Sequence, residues 1–247
     1  MAEGRLTATA VMSGVLSPAQ LDIFRRPQPP LPPSTWDFTS LPLGHDDLVA
    51  VGADLQIGTL VQAYAHGLFP MPLDDSTIGW FSPVRRGIIP LDDFHVSQSL
   101  RKSCRRYRIA VDTCFTEVVR ACGDPRRPHG WINEDFIEAY TRLHRAGWAH
   151  SVEVFANDTL VGGVYGVHVH GLFAGESMFH TRTDASKVAL VALVALLRAA
   201  GVTVFDVQWS TPHLVSLGAI EVPREEYLRL VDRTQKHPSS RQTAVHG

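Results

Sequence analysis

The stretch from Ser186 to Ala200 constrains this chain more than any other. It places Val188, Leu190, Val191, Leu193, Val194, Leu196 and Leu197 on nearly every side of a helix. A helix apolar around its whole circumference has to be covered on all sides. It is too short to cross a bilayer, because a span needs about 20 apolar residues and this run stops at Arg198. No membrane partner is therefore expected. The chain can supply a cover: 45% of its 247 residues are hydrophobic, enough for one large domain or two modest ones. Disorder throughout is excluded by the same figure together with a net charge of only -2.

The neighbours of this helix are strand-like. Ser151 to Phe155 alternates, Asn157-Asp158 turns, and Leu160 to Phe179 holds two more runs broken by Gly171. Gly201 stops the helix, Val202 to Gln208 reads as a buried strand, and Thr211 to Leu217 as a short helix. A small antiparallel sheet, a buried helix and a returning strand predict an α+β layered architecture. Upstream, helices are predicted over Thr59–His66, Val96–Tyr107 and Asn133–Ala146, the last with Asn133 as its cap. Pro27, Pro29, Pro30, Pro32 and Pro33 make residues 1–40 an extended lead-in, with Trp36 and Phe38 packing onto the body. The division that follows is a small N-terminal domain over 41–94, a larger domain over 95–235 and a flexible tail over 236–247. The N-terminus carries no signal-peptide pattern, and the three cysteines form no Cys-x-x-Cys pair, so a reduced, cytoplasmic setting is expected.

Polar residues stand where a core is predicted. Asp206 and Gln208 are two apart at the end of a buried strand, which puts them on one face. Glu176 interrupts the apolar, aromatic run Phe173–Phe179. A buried carboxylate needs a partner or a task. The plainer readings are a turn-capping Asp beside a Gln that satisfies backbone, and an edge-strand Glu facing water. A second feature is basic: Arg101, Lys102, Arg105, Arg106 and Arg108 fall in a run without any acid. On a helix, Arg101, Arg105 and Arg108 line one side, a ridge suited to phosphates or simply a solvated face. The segment His180–Lys187 before the buried helix has no glycine, so it lacks the loop by which acyl-CoA N-acyltransferases cradle a pyrophosphate. His168, His170 and His180 have no further ligand at sensible spacing, and no metal site is expected.

Several short motifs occur together. They include Tyr64-Ala65-His66-Gly67-Leu68-Phe69-Pro70, Trp80-Phe81-Ser82-Pro83, Leu160-Val161-Gly162-Gly163-Val164-Tyr165-Gly166, Gly175-Glu176-Ser177-Met178-Phe179, Ala185-Ser186-Lys187 and Asp206-Val207-Gln208. In this order, over about residues 41 to 232, the chain resembles the leucyl/phenylalanyl-tRNA–protein transferase family. The resemblance implies a small N-terminal α/β domain followed by a C-terminal acetyltransferase-like (acyl-CoA N-acyltransferase) domain that works without CoA. It implies an enzyme that moves Leu or Phe, with Met as a third candidate, from aminoacyl-tRNA to the α-amine of an N-terminal Arg or Lys, marking that protein for degradation. A CoA-dependent N-acetyltransferase and a non-catalytic tRNA- or peptide-binding module are the alternatives.

By resemblance, Asp206, Gln208 and Glu176 are catalytic, and the basic ridge holds the tRNA acceptor end. Trp80 and Trp131 lie near the terminal adenosine, with Phe81 where the family often has a second Trp. Val164, Met178 and Phe205 match the amino-acid pocket, Val164 standing where a Met is usual. Helical spacing sets Leu190, Leu193 and Leu197 along the side that would meet them. Strict alternation points Phe205 away from the face of Asp206 and Gln208. An aminoacyl ester is already activated, so no cofactor is expected. The protein is expected to act as a monomer.

Overall fold

The structure is a computed structural model that describes residues 7–127 and 130–236. The first six residues of the lead-in and the tail beyond Lys236 lie outside the described residues. In chain order the elements are α1 (Ala8–Met12), α2 (Pro18–Ile23), β1 (Leu48–Val51), α3 (Ile57–Ala65), β2 (Phe69–Pro72), β3 (Ile78–Phe81), β4 (Arg85–Ile88), α4 (Gln98–Cys104), β5 (Arg108–Val111) and α5 (Phe115–Cys122). Then follow α6 (Glu134–Arg145), β6 (Ala149–Ala156), β7 (Thr159–Val169), β8 (Leu172–His180), α7 (Ala185–Ala200), β9 (Val204–Gln208), α8 (Pro212–Val215), β10 (Ile220–Pro223) and α9 (Arg224–Lys236).

A seven-stranded sheet in the order β10-β4-β9-β8-β7-β6-β5 carries the molecule, and β1-β3-β2 form a second, small sheet. In the large sheet β8 and β9 are the parallel pair and the other pairings are antiparallel. A parallel neighbour requires a crossover, and α7 is that crossover. It lies buried against one face of the sheet, with α1, α2 and α4 packed on it. On the other face α3, α5 and α6 build a second core around Tyr64, Tyr140 and Tyr165. Two adjacent glycines allow this close layering. A Cβ on Gly162 would meet that of Ala185 at 2.6 Å, and one on Gly163 would meet Val118 at 3.1 Å, so β7 touches α7 on one face and α5 on the other.

The α+β architecture is the one expected, with differences. Residues 8–12 and 18–23 are helical and not extended. Ser17 accepts from the Gln20 backbone while the Gln20 side chain accepts from Ser17, a capping box that starts α2 ahead of the prolines. Phe24 then sinks into the core beside His150, His168 and Phe173. The helix predicted over Val96–Tyr107 is shorter, because Arg105 caps α4 and Arg108 opens β5. The region 41–94 is not self-contained: β4, within it, lies between β10 and β9 of the large sheet. Helices α5 and α9 were not anticipated.

Phe24 tests whether the N-terminal helices belong to the cooperative core. Phe24→Ala is expected to lower the unfolding free energy by about 3–5 kcal/mol, measured by denaturant unfolding. An unchanged midpoint would place α1 and α2 outside that core.

Candidate active site

The site starts from a buried ion pair. Arg86 on β4 and Asp206 on β9 are both fully buried. Arg86 donates from Nε to Asp206 Oδ1 at 2.8 Å and from Nη2 to Oδ2 at 2.6 Å, a bidentate bridge. The Tyr227 hydroxyl, from α9, donates to Oδ2 at 2.9 Å, and Arg86 Nη1 donates to the Gly67 carbonyl at 3.1 Å. The guanidinium carbon lies 4.8 Å from the Phe69 ring centre and 4.3 Å from that of Tyr227. Burial is the largest influence and opposes the charge on Arg86, but Asp206, together with Tyr227 and Glu176, outweighs it and holds the guanidinium above its ordinary pKa.

Asp206 holds Gln208 by the backbone. Its Oδ1 accepts the Gln208 N–H at 2.9 Å, and Gln208 has a left-handed φ of 57°. Such a conformation is strained for a residue with a Cβ, and the buried carboxylate supports it. The Asp206 carboxylate meets Arg86 and Tyr227, and its hydrogen bond to Gln208 is to the backbone N–H, while the Gln208 side chain turns to Glu176. Asp206 thus fixes the Gln208 backbone.

The pocket comes from a gap in the sheet. Parallel pairing of β8 with β9 ends at Ala174 and Asp206. Beyond it the strands part, and Gly175, Glu176 and Ser177 face Val207 and Gln208 across a cavity of about 480 Å³. Gln208 Nε2 donates to Glu176 Oε1 at 3.3 Å. Glu176 Oε2 accepts from the Tyr140 hydroxyl at 2.7 Å, which is 2.8 Å from that of Tyr64. Burial is the main cause that lifts the Glu176 carboxyl to about 7; the two tyrosines pull it back, while Asp206 adds to the rise. Its proton therefore sits near neutrality, where acid–base groups are most useful.

Apolar walls complete the cavity. Val164, Met178, Leu190, Phe205 and Trp131 line it. Leu193 and Leu197 do not: they are buried in the core of α7. Only the Leu190 turn of the helix reaches the gap. Trp80 is also core, its indole donating to the Gly52 carbonyl at 2.8 Å and its ring against Phe38. Phe81 stands one layer back, with its ring centre 6.0 Å from that of Phe69 and 5.9 Å from that of Trp209, both of which line the pocket. Sequence reasoning did not single out Arg86, Tyr227 and Tyr140, which contact the site carboxylates, or Arg127 and Trp209, which line the pocket. Tyr64 and Phe69 lay inside a quoted motif, yet nothing local marked their contacts.

The five basic residues do not form one helical ridge. Arg101 and Lys102 are on α4, Arg105 and Arg106 follow its end, and Arg108 stacks over Phe155 at 4.1 Å. Lys102, Arg105, Arg106 and Arg108 are exposed, and among the described residues no carboxylate pairs with any of the five. Among the described residues no helix is long and apolar enough to cross a membrane, and no group of three His, Cys, Asp or Glu could hold a metal. Burial pushes Cys104 and Cys114 up to about 11 and Cys122 to about 12, which favours the protonated thiol. Ser177 and Thr211 line the pocket, but among the described residues neither hydrogen-bonds to a histidine.

The pocket thus sets an amide and a near-neutral carboxyl against an apolar cavity. The comparisons give the particular family. Residues 88–232 match the family model of the leucyl/phenylalanyl-tRNA protein transferase, and residues 53–84 match that of its N-terminal domain. A leucyl/phenylalanyl-tRNA–protein transferase of Pseudoalteromonas atlantica is 48% identical, covering 77% of this chain and 83% of that protein. Relatives of the same name from Herpetosiphon aurantiacus and Cereibacter sphaeroides are 51% and 54% identical, covering 70% and 69% of this chain and 90% and 80% of theirs. This chain belongs to the leucyl/phenylalanyl-tRNA protein transferase family, and it is an aminoacyltransferase.

The raised Glu176 value carries a stability consequence. A glutamate ordinarily ionises near 4.5, and here near 7. Between those pH values the folded state holds the extra proton, so this residue makes stability fall as pH rises. Because Glu176 is only partly buried at the pocket wall, Glu176→Gln is expected to raise the unfolding free energy at pH 8 by about 2 kcal/mol. Below pH 4.5 the difference should vanish. Denaturant titrations at both pH values check this, and a variant less stable at pH 8 would contradict it.

Proposed function

We propose that the pocket takes the aminoacyl end of Leu- or Phe-tRNA and that the acyl group passes to the α-amine of an N-terminal Arg or Lys. The observation that carries this reading is the apolar cavity between the parted ends of β8 and β9, with Gln208 and Glu176 on its wall. Phe205, Val164, Met178 and Leu190 surround the amino-acid side chain; Trp131, Trp209 and Phe69 offer flat faces to the terminal adenosine. The exposed arginines around α4 attract the tRNA backbone. The same parting of a parallel pair supports assigning the large sheet to the acyl-CoA N-acyltransferase-like architecture, with the small sheet as the N-terminal domain.

In this reading the neutral amine attacks the ester carbonyl, the C–N bond forms, the bond to the ribose oxygen breaks, and the amine's proton ends on that oxygen. Glu176, ionised, holds the Gln208 NH₂, which leaves the Gln208 amide oxygen to accept from the incoming amine and aim its lone pair. A neutral amide is a poor base, so orientation supplies most of the rate. The amine, with a pKa of about 8, and Glu176 both act deprotonated. Transfer is therefore expected to rise with pH through about 7 and about 8, and Glu176→Gln to lose the lower limb.

The direct test is incubation with charged Leu-tRNA and an Arg-initiated peptide, followed by mass measurement of the peptide. An unmodified peptide, with a known transferase active in parallel, would overturn the reading. Gln208→Ala should lower transfer by about tenfold or more with tRNA binding kept. Val164→Phe fills the pocket, and it is expected to penalise Phe more than Leu by about 1–3 kcal/mol in kcat/KM. Equal losses for both amino acids would remove Val164 from selection.

A further inference from the structure

A second cavity, of about 620 Å³, opens where β8 ends and α7 begins. Its walls include His180, Arg182, Lys187 and His213, four side chains that carry or can carry positive charge. One carboxylate is present, but Asp184 accepts from Ser103 Oγ at 2.8 Å and lies 3.7 Å from Lys187 Nζ. Arg182 is exposed, and among the described residues it forms no ion pair. Burial, then Lys187 and His180, holds His213 below its ordinary pKa, as expected where cations crowd without enough counter-charge.

The backbone adds to this field. Asp184 has a left-handed φ of 63°, so its side chain is turned to Ser103 and gives α7 no cap. The positive end of a buried 16-residue helix thus opens beside the cationic side chains. The segment without glycine reaches by an aspartate the conformation that a glycine loop would use.

The cavity adjoins the amino-acid pocket on three elements. His180 follows Met178 on β8, Lys187 precedes Leu190 on α7, and His213 precedes Leu214 on α8; Met178, Leu190 and Leu214 all line that pocket. The offsets are about 7 Å along the strand and about 4.5 Å along the helix, the scale of one ribose-phosphate unit. Resting on the aminoacyl-tRNA reading above, we propose that His180, Arg182, Lys187 and His213 bind the phosphodiester that joins the terminal nucleotide of the tRNA to the one before it. The Tyr107 hydroxyl donates to the Thr183 carbonyl at 2.8 Å, which ties this cavity to the arginines after α4 and lets the strand continue onto them.

The test compares two amide-linked 3′-aminoacyl-adenosines, one with a 5′-phosphate and one without, by calorimetry. The phosphorylated analogue should bind the natural protein about tenfold more tightly. Arg182→Gln and Lys187→Gln should each shrink that advantage to a fewfold or less and leave the unphosphorylated analogue unchanged. With intact tRNA, each should lower the log–log salt slope by about 1. Inorganic phosphate should compete only with the phosphorylated analogue. Equal affinity for the two analogues, or variants that weaken both alike, would overturn the proposal, as would acetyl-CoA displacing the phosphorylated analogue at equal concentration. Arg182 is exposed, so its variant should melt as the natural protein does and keep the test open if Lys187→Gln unfolds. Binding of neither analogue, together with no peptide modification, would instead point to failure of the tRNA reading itself.

Discussion

The Arg86–Asp206 bridge is the interaction on which the rest of the site depends. It joins a strand that follows the small sheet to the strand that ends at the pocket, and Tyr227 brings the last helix to the same carboxylate. Removing one partner of such a pair leaves an uncompensated buried charge, at a cost of about 3–5 kcal/mol. Replacing both by apolar groups can be neutral for stability, so stability alone does not account for the pair. What only the carboxylate supplies is an acceptor for the Gln208 N–H, and with it the left-handed turn that presents the Gln208 amide to the cavity.

The second constraint is topological. A parallel pair whose strands separate after Ala174 and Asp206 leaves a gap in the middle of a sheet, where backbone and side chains of both strands are reachable. Helix α7 closes the gap from one face, and Phe69, Met71 and Trp131 come to it from the other. The cavity is apolar because both cores of the protein end there. Glu176 and Gln208, two of its few polar groups, gain electrostatic strength from that setting. Glu176 is also a destabilising element at neutral pH, since its ionised form is held against its burial by hydroxyl partners. In the proposed mechanism, function and stability oppose each other at this residue.

Much of the fold was legible in the sequence. The buried helix, the strand after it, the β7–β8 hairpin and the Asn133 cap follow from periodicity and capping chemistry, which act over a few residues. Glu176, Asp206 and Gln208 stand out as polar intrusions in apolar strands, and the structure gives each a partner. Less legible were α9, whose buried side is little more than Tyr227 and Val231, and the helices before the prolines. Motif order carried the family, and the comparisons agree with it.

By itself, then, the sequence determined the buried helix, the strands around it and which residues are chemically out of place. Only the tertiary structure decided what each buried face meets. Asp206 finds its counter-charge 120 residues away, at Arg86. Leu190 reaches the pocket while Leu193 and Leu197, on the same side of one helix, meet only core. Trp80 is spent on packing, and Trp209 takes a place at the pocket wall. Periodicity records that a side chain leaves water; the identity of its neighbour is set by how strands distant in sequence pair and where their pairing stops.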